Sequence, residues 1–124
     1  MFWHKALIYK ESAIVALLIL YASLLRAPHF HLPQVAFADK WSHLLAYAVL
    51  GSVLTLNMIR DKVGKRWLWT VGLIAPIAYG GLIEILQGTF FQPRTADWLD
   101  WLADIIGTVI GTGLVMVIWQ ARKR

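Results

Sequence analysis

Apolar residues run along this chain in four long stretches, separated by short segments holding proline, glycine or basic residues. The pattern is neither the alternation of a half-buried strand nor the one-sided stripe of a soluble amphipathic helix. The stretches cover residues of about 6–25, 41–59, 67–87 and 98–119. A helix needs ~20 residues, within ~17–25, to cross a hydrocarbon core of about 30 Å. The last three stretches meet that length. The first does so only if Lys10 and Glu11 lie near the head groups, paired or with their charges drawn to the interface. Trp41, Trp67, Trp69, Trp98, Trp101 and Trp119 fall near the ends of stretches, where an interfacial aromatic belt places tryptophan. The expected fold is all-α, a four-helix transmembrane bundle forming one domain over 1–124.

Composition agrees with that pattern. At 59% hydrophobic and 15% charged, the chain is neither an ordinary soluble domain nor a disordered one. Charge then sets an orientation. Nine basic residues fall in the N-terminal region, the loop 60–66 and the tail 122–124; Arg26, Lys40 and Arg94 are the three on the other side. The positive-inside rule puts both termini in the cytoplasm of a multi-pass cell-membrane protein. The first stretch resembles a signal peptide, but Arg26-Ala27-Pro28-His29 offers no small-x-small cleavage site, so a retained helix is expected. Absence of cysteine rules out a disulfide, a thiolate metal site and a thiol nucleophile. The basic balance suits anchoring to anionic lipid, and no nucleic-acid partner is expected.

Within the stretches, His43, Glu84, Gln87, Asp97, Asp100 and Asp104 demand an explanation. A charge at the bilayer centre costs roughly 2.5–3.5 kcal/mol on insertion scales, so such residues usually face a bundle interior or a wet cavity. Helical spacing groups them. Asp39, His43 and Tyr47 share one face of the second helix; Gly80, Glu84, Gln87 and Phe91 share one of the third. Asp97, Asp100, Asp104, Gly107 and Gly111 share one of the fourth. Each set lies toward the outer end, beside the loops 26–39 and 88–94.

Plain structural roles compete with chemical ones. Asp39 suits an N-cap, and Asp97 with Asp100 suits a capping pair at a helix start. Capping leaves Glu84, Gln87 and Asp104 unexplained; their alternative is an interhelical hydrogen-bond network. Gly107 and Gly111 form a small-xxx-small pattern for close packing, with Ala46, Gly51, Ser52, Gly80 and Gly81 as counterparts. Pro76 is expected to kink the third helix. His29 and His31 read as solvent-exposed loop residues.

The chemical reading is general acid–base work, with His43 exchanging protons with Glu84, Asp97 or Asp100 while Arg94 clamps an anionic group. Histidine with several carboxylates also suits a hard divalent cation, but no HExxH or comparable ligand spacing is present. No metal and no cofactor are expected. No Ser–His–Asp order, phosphate-binding glycine loop or dinucleotide fingerprint can be placed.

These residues fall in three ordered blocks. They are Asp39-Lys40-x-x-His43-x-x-x-Tyr47, Tyr79-Gly80-x-x-x-Glu84-x-x-Gln87, and Arg94-Thr95-x-Asp97-x-x-Asp100-x-x-Ala103-Asp104-x-x-Gly107-x-x-x-Gly111. The set resembles the VanZ-like family of small membrane proteins, over a little more than half the chain. One position departs, since the family usually has asparagine where this chain has Asp104. The resemblance adds Lys40 to the candidates and implies a cell-envelope location and a tie to resistance against the glycopeptide teicoplanin. Candidate catalytic residues are therefore His43, Glu84, Asp97 and Asp100. Candidate ligand-binding residues are Tyr47, Gln87, Arg94, Asp104, Asp39 and Lys40. The implied partners are membrane lipids and a lipid-anchored wall precursor or glycopeptide. A non-catalytic structural or accessory membrane protein is the alternative.

Overall fold

A computed structural model describes residues 2–25, 38–90 and 98–123; residues 2–4, 24–25, 38–39, 87–88 and 90 are described in backbone only. The described chain is all-α, with five helices: α1 (Phe2–Ile8), α2 (Lys10–Leu25), α3 (Ala38–Arg60), α4 (Lys65–Phe90) and α5 (Trp98–Arg122). Three of them contain segments long and apolar enough to cross a membrane, Lys40–Arg60, Lys65–Leu86 and Trp98–Arg122.

The first apolar stretch departs from the single helix expected over 6–25. It is divided at Tyr9, and α2 has 16 residues, or about 24 Å of rise. The joint still carries helical hydrogen bonds, from Tyr9 N to Lys5 O and from Ala13 N to Tyr9 O, both 3.0 Å. Glu11 of the Lys10–Glu11 pair is answered by α3, where Asn57 Nδ2 donates to it at 3.3 Å and Arg60 approaches to 3.7 Å. Boundaries shift elsewhere too. Helix α3 begins at Ala38, so Asp39 lies in its first turn and does not precede it as an N-cap would; α4 runs through Gly88 to Phe90, shortening the expected loop.

Helices α3 and α4 are joined by a turn built on Lys62, whose φ of 61° is left-handed. Val63 N donates to Met58 O at 3.1 Å and Lys62 N to Ile59 O at 3.0 Å, the paired bonds of a Schellman cap. Val63 also packs on the Met58 cluster, the apolar contact that accompanies such a cap. So short a turn makes α3 and α4 antiparallel neighbours. Lys5 meets Asp61 at this turn, and Tyr9 and Trp119 pack round Met58, Leu68 and Met116. The start of α2 and the end of α5 therefore sit at the same end of the bundle.

Helices α3 and α5 make the most intimate contact. A Cβ at Gly107 would lie 2.1 Å from Leu44 O, and one at Gly111 would lie 2.1 Å from Ala48 O. Only glycine lets the two backbones approach this closely. Gly51, Ser52, Gly80 and Gly81 do meet neighbouring helices, facing Thr112, Gly111, Asp104 and Trp101 in turn. Ala46 does not take the expected part. It lies two residues, about 200° of helix, from both Leu44 and Ala48, and packs with Ile19 and Tyr47.

Helix α4 continues through Pro76, which is buried. Proline has no N–H, so the carbonyl four residues earlier, Gly72 O, loses its helical donor. Thr112 Oγ1 of α5 supplies a replacement at 3.0 Å. The perimeter of the bundle is apolar, with Leu17, Leu18, Leu45, Ile74, Leu82, Leu114 and Val117 all more than half exposed. Hydrocarbon would cover such a surface; water would not.

Candidate functional site

At the end of the bundle away from Asp61, polar side chains from α3, α4 and α5 converge. His43 is the centre. Its Nδ1 lies 2.9 Å from Asp104 Oδ1 and its Nε2 lies 3.5 Å from Asp100 Oδ2, so the ring stands between two carboxylates of α5. Only the doubly protonated ring offers an N–H to both sides. Lys40, one helical turn before His43, brings Nζ to 2.6 Å from Asp100 Oδ1. The result is a chain Lys40–Asp100–His43–Asp104 across the α3–α5 crossing.

Helix spacing explains the geometry. Lys40 and His43 are three apart on α3, and Asp100 and Asp104 four apart on α5, so each pair presents two groups along one face. The glycine contacts at Gly107 and Gly111 draw those faces together one and two turns below. Helix α4 closes the third side. A Cβ at Gly80 would lie 2.6 Å from Asp104 Oδ2, so this position must be bare for the carboxylate to fit.

Glu84, one turn after Gly80, is 0% exposed, and Asp104 is 1% exposed. His43, Glu84 and Asp104 each bring one ligand-type atom within 4.8 Å of the others. Tyr47, 2% exposed, lies within electrostatic range of Asp104, Tyr79 and Glu84. Removing charges from water costs several kcal/mol per ion even after relaxation. Carboxylates gathered here must therefore share protons or cations.

An apolar groove of about 390 Å³ lies between α2 and α3, lined among the described residues by those two helices. Leu18, Ile19 and Ala22 form one wall, Ala46 and Val49 the other, and it reaches His43 and Tyr47. Tyr79 of α4 reaches α2, its hydroxyl donating to Ala16 O.

The chain matches no family model, no curated protein and no solved structure.

Of the sequence candidates, Lys40, His43, Tyr47, Glu84, Asp100 and Asp104 come together. Asp97 and Arg94 lie outside the described residues, as do His29 and His31. Asp39 and Gln87 lie on α3 and α4, but their side chains are outside the description. Asp100 is more than a capping residue, since it is buried, paired with Lys40 and turned to the His43 ring.

Sequence spacing did not single out a second polar set at the opposite end. Buried Asn57 Oδ1 accepts from Ser12 Oγ at 2.6 Å and from Ser12 N at 3.2 Å, tying α2 to α3. An amide inside an apolar stretch was the available signal. Asp61 accepts there from Lys5 Nζ at 2.6 Å and from Tyr9 Oη at 2.9 Å. Lys5 first, then Tyr9, holds the Asp61 carboxyl below the usual carboxylate range, against a smaller opposing effect of burial.

Proposed function

We propose that this chain is a multi-pass protein of the bacterial cell envelope that engages an amphiphile at the outer leaflet. The acyl chain lies in the α2–α3 groove and the head group reaches the His43 cluster. The observation carrying this reading is the junction itself, an apolar groove on the bundle perimeter that ends at a histidine held between Asp100 and Asp104. Lys40 supplies a cation for a phosphate or carboxylate. His43 and its carboxylates suit proton transfer if the bound molecule is also turned over.

The α1–α2 unit serves as the fourth crossing, because helical bonding continues across Tyr9. Lys5, Arg60, Lys62, Lys65, Arg66, Arg122 and Lys123 lie toward the opposite end and support a cytoplasmic assignment for it. Resemblance of the three sequence blocks to the VanZ-like family favours a lipid head group or a lipid-anchored glycopeptide as the amphiphile. A second reading rests on the His43–Asp104 bond, which joins α3 to α5 whether or not a ligand binds. In that reading the network specifies packing and supports a partner protein.

Photo-crosslinking separates the two. A phospholipid carrying a diazirine in its acyl chain should label the groove in proteoliposomes. Ala46→Trp fills the groove without altering the cluster and should reduce labelling at least fivefold. His43→Ala, Glu84→Gln and Asp100→Asn should abolish the cellular effect of the protein on envelope lipids or wall precursors, with folding retained. Undiminished labelling of Ala46→Trp overturns the amphiphile reading; loss of folded protein in all three cluster variants supports the structural one.

A further inference from the structure

The cluster at His43 has the dimensions and charge of a metal centre. Two donors about 2.1 Å from one ion and at right angles to each other lie ~3.0 Å apart. His43 Nδ1 and Asp104 Oδ1 are 2.9 Å apart. Glu84 completes the set, since His43, Glu84 and Asp104 can each offer one ligand atom with all three within 4.8 Å of one another. Donors trans across such an ion stand ~4.2 Å apart, so a pair at the 4.8 Å limit of this spread would have to close in slightly to share one centre.

The surroundings point the same way. A metal-bound histidine commonly gives its other ring nitrogen to a carboxylate, which fixes the tautomer and aims the ring. Asp100 stands at the far nitrogen, with Oδ2 3.5 Å from Nε2, and Lys40 holds Asp100 in turn. Charge is the third argument. Among the described residues, Glu84, Asp100 and Asp104 are three carboxylates, and Lys40 with a neutral His43 contributes one positive charge. One divalent cation brings the balance to zero. That neutrality matters where Glu84 and Asp104 are almost wholly removed from solvent.

We infer that His43, Glu84 and Asp104 bind one divalent transition cation of the zinc type, with Asp100 and Lys40 orienting the histidine. One imidazole and two carboxylates suit zinc better than calcium, which takes six to eight oxygens. This inference rests on the reading of the cluster as the working site, and it makes His43 a ligand in place of a proton carrier. The bound ion would then present Lewis acidity to an anionic head group arriving through the groove.

Zinc itself is the probe. Protein purified in detergent and stripped with EDTA should take up one Zn²⁺ per chain in competition with a chromophoric chelator. Folded His43→Ala and Glu84→Gln should each bind at least tenfold more weakly. A His29→Ala/His31→Ala variant should bind as the parent does. Zinc absorption spectra of the parent protein should show one imidazole and otherwise oxygen donors, which needs no variant to fold. Absence of stoichiometric binding, binding lost with His29 and His31, equal binding by the folded cluster variants, or two or more imidazoles each overturns the assignment. If zinc fails while the groove still labels with lipid, only the metal inference falls.

Discussion

At the scale of single residues, cost is the readable signal. His43, Glu84, Asp100 and Asp104 stood out in the sequence because polar groups in apolar stretches need partners, and helical spacing put them on shared faces. Lys40 is different. Nothing in its spacing announces the ion pair with Asp100, since that contact depends on how α3 crosses α5. Asp61 offers a test outside the candidate spans. Its carboxyl titrates below the usual range because Lys5 and Tyr9 donate to it, so the stabilisation is present above the unfolded value of about 3.9 and is lost as pH falls through the lower folded value. Protection of the α1 amides against hydrogen exchange, measured relative to the intrinsic rate at each pH, should accordingly fall on acidification below about pH 4. Asp61→Asn should show low protection at every pH, and a protection profile like the parent's would remove Asp61 from the docking of α1. Salt should weaken the contact in part, because Lys5 is well exposed.

Whole elements were legible through length and composition, their contacts less so. The last three apolar stretches became α3, α4 and α5 within a few residues, and the break at Tyr9 falls beside Lys10 and Glu11, the charged pair that interrupts the first stretch. Glycines at 107 and 111 announced a close crossing, but their counterparts are the carbonyls of Leu44 and Ala48, and backbone atoms carry no sequence signal. Pro76 shows how one helix repairs another. Thr112→Val keeps the shape and removes the donor to Gly72 O, leaving a bare carbonyl. We expect a loss of about 1–2 kcal/mol, between the ~0.6 kcal/mol mean for polar contacts in membranes and the ~1–3 kcal/mol for a buried unsatisfied group. In a Pro76→Ala background the helical N–H returns and the loss should shrink. Unfolding free energies of the four proteins in mixed micelles measure this coupling; additive effects would break the link between Pro76 and Thr112.

For the whole molecule, sidedness is the property most open to direct measurement. The chain has no cysteine, so each introduced thiol reports alone. Trp41→Cys and Trp98→Cys mark the end that carries the cluster; Lys65→Cys and Lys123→Cys mark the basic end. A membrane-impermeant maleimide should label the first pair on intact cells and the second only after permeabilisation. The reverse pattern would put the cluster at the inner leaflet. Basic-residue counts carry this expectation, since the arrangement of helices looks the same from either side of a bilayer.

The position of the α2–α3 groove has a further consequence. It opens on the flank of the bundle, so a guest would arrive by diffusing within the leaflet and would not first cross bulk water. Occupancy would then follow the guest's mole fraction among the lipids and would be nearly indifferent to its concentration per litre. Adding plain lipid to a fixed amount of protein and guest should empty the groove by dilution in two dimensions, with no change in the aqueous phase.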